Sequence, residues 1–221
     1  MTLKTLTALG IMLALAAPVF AQDQTGANVE DVASGQPGGV AQFDMALGLY
    51  ALGLAQKDAL LMLTAAKLAA GVQMVDVVRE GAQTAVAPDS GPVDAAAMLV
   101  SARDFAADDE SLLVLIEEVE RGGLTTGGAS RQRNHVAAGA AQTWKIPFYS
   151  GSLAEVGVGV GVAGTAALVV AISDENGNPV ACPVRGPDRF YCAFVPRWNG
   201  YFEVTVTNTG TEANTYDLLT N

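Results

Sequence analysis

The sequence is poor in the residues that most enzyme chemistry needs. Its 221 residues include one histidine, His135, and two cysteines, Cys182 and Cys192. Any Ser/His/Asp or Cys/His arrangement would have to use His135, which sits in a Gly/Ser/Arg-rich stretch unsuited to the rigid geometry of nucleophilic catalysis. A Gly-x-Ser-x-Gly elbow, a His-Glu-x-x-His zinc helix and a phosphate-cradling glycine motif are all missing. The cysteines are not spaced as Cys-x-x-Cys, and one histidine cannot complete a zinc site with them.

Basic residues are also scarce, 12 Lys and Arg against 23 Asp and Glu. The deficit is local. Residues 22–121 hold 16 acidic and 5 basic residues, whereas residues 122–221 hold 7 and 6. The asymmetry marks two units of different role, and the acidic first unit repels nucleic acid and anionic membrane surfaces. Carboxylates are plentiful enough for acid–base chemistry, but their placement is structural: Asp108, Asp109 and Glu110 read as a helix start, and Glu117, Glu118 and Glu120 as a solvated helix face.

Long apolar runs are few. Residues 1–21 read as a secretory signal peptide, with Lys4, an apolar run over Ala8 to Ala17, and Val19-Phe20-Ala21 as the cleavage site. The run around Val156 to Ile172 is broken by glycines and suits buried strands better than a membrane span. The expectation is an exported chain, periplasmic or secreted, with no membrane insertion after cleavage. In that oxidising setting the cysteines read as a Cys182–Cys192 disulfide, stabilising by roughly 2–3 kcal/mol on the chain-entropy model.

In chain order, residues 22–40 lack large apolar side chains and are expected to be disordered. Residues 41–121 form an acidic helical domain of about four helices. Phe43, Leu47, Tyr50 and Leu54 share one face of a helix over 41–54. Asp58 caps a second, with Leu60, Leu61, Ala65 and Leu68 inward, ending at Gly71 or crossing it as far as Arg79. A third starts near Asp94, presenting Met98, Leu99, Ala102 and Phe105, and a fourth runs from Glu110 to Arg121 until Gly122-Gly123 stops it. Leu47, Leu60 and Leu63 match Leu99, Leu112 and Leu115 at a constant offset, a weak two-helix repeat. Residues 122–141 read as a linker. From residue 142 the pattern is of about seven short strands, an antiparallel β-sandwich or jelly roll with one disulfide. Val156, Val158, Val160 and Val162 alternate with glycines, which implies one buried face and a close backbone approach on the other. The fold class is thus multi-domain, α plus all-β.

The final 80 or so residues carry a recognisable series: Asp174, Glu175, Asn176, Gly177, Asn178, Cys192, Pro196, Gly200, Tyr201, Asn208, Gly210, Asn214, Tyr216, Leu218 and Asn221. The series resembles the bacterial pre-peptidase C-terminal domain and related jelly rolls of exported proteins. The resemblance implies a sandwich fold and a folding, adhesion or binding role. Some members associate calcium with an acidic run before the Asn-Gly turn; here that run is GTAALVVAIS.

Asp174, Asn176 and Asn178 still present alternate oxygens to a calcium ion, but the distal bidentate Glu is missing, Pro179 follows, and Asn-Gly between apolar strands is itself a hairpin signal, which is the preferred reading. No cofactor is expected. Trp144, Trp198, Tyr149 and Tyr201 are read mainly as core, with stacking on a sugar as the alternative. Arg185, Arg189, Arg197 and Trp198 surround the disulfide loop and are candidates for binding an acidic partner, the protein's own helical unit included. The expected function is a non-enzymatic interaction module of the cell envelope with a protein or saccharide partner, and the alternative is a carbohydrate-binding or enzyme-accessory sandwich.

Overall fold

A computed structural model describes residues 24–30, 37–79, 92–122, 127–160, 167–183 and 189–221. The expected signal peptide and Arg185 lie outside the described residues.

Four helices come first: α1 (Gly39–Gln56), α2 (Ala59–Ala70), α3 (Ala95–Ala106) and α4 (Glu110–Glu120). Three start at an aspartate, because a short carboxylate accepts the first-turn N–H groups that have no partner within the helix. Asp58 accepts from Leu60 and Leu61, Asp94 from Ala97, and Asp109 from Ser111 and Leu112. At the other end of α4, Gly122 takes a left-handed φ of 95° and donates to the Val119 carbonyl. None of the helices among the described residues is long and apolar enough to cross a membrane.

Two strands come from segments that the sequence pattern places elsewhere. β1 (Val72–Asp76) follows Gly71, so α2 ends there and does not run on to Arg79. β2 (Gly127–Val136) occupies residues read as a linker. Its polar composition hides a strand because its neighbours satisfy the polar groups. Gln132 donates to Asn134 and accepts from the Arg79 backbone, and His135 bonds Thr215 across to the next strand. The two helix pairs therefore each lead into a strand, and β1 and β2 lie side by side in parallel, Val72 opposite Gly127.

The remaining strands are β3 (Ala141–Phe148), β4 (Ala154–Val160), β5 (Leu168–Asp174), β6 (Arg189–Phe194), β7 (Gly200–Asn208) and β8 (Asn214–Thr220). They complete a sandwich of a five-stranded sheet, ordered β1-β2-β8-β4-β6, and a three-stranded sheet, β3-β7-β5. Cys182 and Cys192 form the expected disulfide. Between the sheets lie Ile146, Val156, Val204, Leu218 and the mutually packed Phe148, Phe194 and Phe202. Trp144 is buried among them and donates to the Tyr216 hydroxyl, which in turn donates to Gln142. Burial pushes the Tyr216 phenol up to about 12.

The helices cover the outer face of the five-stranded sheet in a second core. Ala129, Tyr191 and Leu219 of that face pack with Val40, Phe43, Tyr50, Met62 and Met98. The alternation in β4 now has a cause: Val156 and Val158 point between the sheets, and the glycines face α1. A Cβ on Gly157 would meet Val40 Cγ1 at 2.9 Å, and one on Gly159 would meet Leu47 Cδ1 at 3.1 Å.

Candidate functional site

The joint between helices and sandwich is built around Glu155. The N-cap of α1 is Gly38, which has no side chain to offer its first turn. Glu155 supplies the acceptor from β4: Oε1 takes the N–H of Gly38 at 3.0 Å and of Ala41 at 3.3 Å, and Oε2 that of Val40 at 3.4 Å. The Tyr191 hydroxyl donates to the same carboxylate at 2.7 Å. A fully buried carboxyl group is thus held by the positive end of a helix and a phenol. Farther along α1, Arg189 donates to the Asp44 carbonyl and pairs with its carboxylate at 3.6 Å. Arg189 therefore binds the protein's own acidic unit. Arg197 is exposed, and Trp198 is half-buried, its indole N–H donating to Glu175.

The Asp174–Asn178 segment is a turn. Gly177, at φ 81°, donates to the Asp174 carbonyl at 3.0 Å, and Val180 donates to Ile172 at 2.9 Å. The turn's polar groups are engaged. Asp174 Oδ1 accepts the N–H groups of Asn176 and Asn178, and Oδ2 accepts that of Asn28 at 2.7 Å. Burial raises the Asp174 carboxyl, but these donors outweigh it and leave the group below its ordinary value. Asn176 and Asn178 donate to the Gly26 carbonyl. Residues 24–30, expected to be disordered, form a strap across this end of the sandwich. The fully buried Asn28 bonds the Trp198 backbone through both ends of its amide, and Glu30 bridges to Val195. Composition missed the strap because its attachment is polar, through one asparagine, and not through apolar burial.

Of the four aromatics considered for sugars, Trp144 is core. Tyr149 and Tyr201 stand 73% and 59% exposed at one end of the outer surface of the three-stranded sheet. On that surface Thr143 bonds Thr205, and Lys145 pairs with Glu203 at 3.4 Å.

An apolar groove of about 630 Å³ lies between α2 and α4. From α2 it is lined by Leu60, Leu63, Thr64, Lys67 and Leu68, from α4 by Leu115, Glu118 and Val119, and Gln42 of α1 closes it behind. Both helices contribute residues at spacings of three and four, so each presents one continuous stripe. Leu60 is 54% and Leu115 43% exposed, whereas Leu63 beneath them is buried. The sequence reading placed Leu60 inward with Leu61; Met62 and Leu63, the next two positions, take the core side of that turn and leave Leu60 on the groove. On the rim, Glu117 pairs with Arg121 and Glu120 with Arg103, while Glu118 has no ion pair among the described residues.

No protein-family model matches the chain, and no curated protein matches it. Among solved structures, the chain is similar to the 1.0 Å crystal structure of the pre-peptidase C-terminal domain of a collagenase from Bacillus anthracis, at 15% identity and a TM-score of 0.26, covering 41% of this chain and 75% of that domain. This is the domain family that the C-terminal sequence pattern resembles.

Proposed function

We propose that the protein is an exported, non-enzymatic interaction module, and that the groove between α2 and α4 is the surface on which it receives another protein. One observation carries the reading: two parallel stripes on neighbouring helices enclose an apolar groove whose outer leucines are left half exposed. Apolar grooves of several hundred Å³ edged by a few polar groups are where proteins receive partner segments and ligands. The disulfide and the sequence's signal-peptide pattern support export. The test is a photo-crosslinking residue placed at Leu115 in cells exporting the protein, with Thr143 as the control position. The expected result is a discrete adduct from position 115, absent from position 143 and lost when Leu60→Ser is added. Absence of any adduct specific to position 115 overturns the reading.

The reading requires no metal. Both oxygens of Asp174 already accept backbone N–H groups, so a cation there would compete with the turn's own Asn176 and Asn178 at Oδ1 and with the strap's Asn28 at Oδ2. Millimolar calcium is expected to leave Tm unchanged, and a rise of several degrees would contradict this.

A second reading rests on the exposure of Tyr149 and Tyr201, whose rings, with the adjacent Thr and Lys groups, fit a saccharide platform. Retention on an insoluble polysaccharide that is lost in Tyr149→Ala/Tyr201→Ala would support it, and no retention on cellulose, chitin or peptidoglycan would end it.

A further inference from the structure

Taking the groove as the working surface, as above, we infer that its occupant is an amphipathic helical segment of a partner protein, apolar on one side and basic on the other. The shape sets the first half of this. The lining residues of α2 run from Leu60 to Gly71 and those of α4 from Leu115 to Gly122, so the groove is about three helical turns long on the α2 side and about two on the α4 side. A notch between two helices presents alternating leucines and gaps to a third helix, which fills it with side chains at i, i+3, i+4 and i+7. Leu60 and Leu115 would be the contacts that such a helix removes from water.

Charge sets the second half. Glu118 lines the groove with no ion pair among the described residues, Asp58 caps α2 beside the lining Leu60, and Asp108, Asp109 and Glu110 stand at the start of α4. The nearby cations Arg103 and Arg121 are taken by Glu120 and Glu117. Lys67 is the cation of the lining, and its apolar stem can pack along the occupant with its ammonium directed to solvent. A second copy of this chain would bring the same acidic excess to the contact, 16 acidic against 5 basic residues over 22–121, and like charges oppose that pairing. Basic side chains flanking an apolar stripe meet the potential that the rim creates.

The probes are three amphipathic peptides of about 14 residues with one leucine pattern and lysine, glutamine or glutamate at the remaining positions. Fluorescence anisotropy against the disulfide-bonded protein is expected to show the Leu/Lys peptide binding at least about tenfold more tightly than Leu/Gln, with Leu/Glu weakest and with affinity falling as salt rises. Leu60→Ser/Leu115→Ser should remove most of that binding. Both sites are half exposed, so far-UV circular dichroism should be unchanged. Glu118→Lys should narrow the Lys-over-Glu preference, whereas Glu203→Gln on the sandwich should not.

Equal binding of all three peptides overturns the basic occupant and leaves the groove reading standing. Leu/Lys binding that survives the double serine variant reduces the effect to general attraction by an acidic protein and overturns the inference. No peptide binding combined with a Leu115 crosslink overturns the helical occupant alone, and absence of both removes the groove reading as well. A dimer in sedimentation that is lost in the double serine variant would assign the groove to a second copy.

Discussion

At the residue scale, two small features bear on much of the molecule. Gly157 is glycine because α1 lies against it, with Val40 Cγ1 where a side chain would begin. Val40 is fully buried and β-branched, so it cannot swing aside. Gly157→Ala is expected to lower stability by about 1–3 kcal/mol. In denaturant titrations the loss should be smaller in a Val40→Ala background, and additive effects would show that the two do not touch. Asp174 is the second feature. Its carboxyl lies below the ordinary value because hydrogen bonds from Asn28, Asn178 and Asn176 outweigh the effect of burial. A depressed folded value means its contribution is fully present above the unfolded value of about 3.9 and is lost as pH falls through the folded value. Asp174→Asn should therefore be less stable than the parent at pH 7, by about 1–3 kcal/mol. That gap should begin to narrow as pH falls below about 3.9, and urea midpoints on either side of that value check it.

At the element scale, α1 is the helix that joins the two cores. Its first turn has no cap of its own and takes Glu155 from β4 instead. Glu155→Gln removes the charge and keeps the shape. The expected loss is about 1–3 kcal/mol, with amide exchange accelerated at Val40 and Ala41 before α4 responds. Unchanged protection at those amides would assign the capping elsewhere. β2 shows the converse case. Gly, Ser, Arg, Gln and Asn look like a connector when read alone, yet the backbone of each has a ladder partner on β1 or β8, and the two arginines pair with carboxylates there. Arg131 makes a bidentate contact to Asp76 at 2.7 and 3.2 Å, and Arg133 pairs with Asp217 at 3.3 Å. Burial raises the Asp217 carboxyl, and Arg133 and Arg131 hold that rise back. On Arg131, desolvation opposes the charge, but the hydrogen bonds it donates to Asp76 prevail and raise its value.

At the scale of the whole molecule, the acidic helices and the sandwich share a core, since Tyr191 and Leu219 of the sheet pack with Val40, Phe43 and Met98. The helical signal in far-UV circular dichroism and the fluorescence of Trp144 should therefore melt in one coincident transition, and two separated transitions would show independent units. Removing the disulfide with Cys182→Ser/Cys192→Ser should lower stability by roughly 2–3 kcal/mol and keep that single transition. The acidic excess then acts on the outer surface of the cap. Where it reaches the sheet it is offset, Asp44 of α1 by Arg189 and Asp76 of β1 by Arg131.

Much was legible in the residues alone, for reasons that are local. Helix starts at Asp58, Asp94 and Asp109 depend on groups within three positions, and the Asp174–Asn178 turn on five consecutive residues. The pairing of two cysteines follows from their number, and the close approach at Gly157 from a repeated absence of side chains. The rest depended on partners distant in sequence. A polar segment becomes the strand β2 only when β8 lies beside it. Residues 24–30 are ordered only because the turn and Trp198 offer acceptors to Asn28, and Leu60 faces outward only because Met62 and Leu63 reach the core first. Local propensity and periodicity are properties of the chain; which polar group meets its partner, and which leucine is left over to form a groove, is decided by packing.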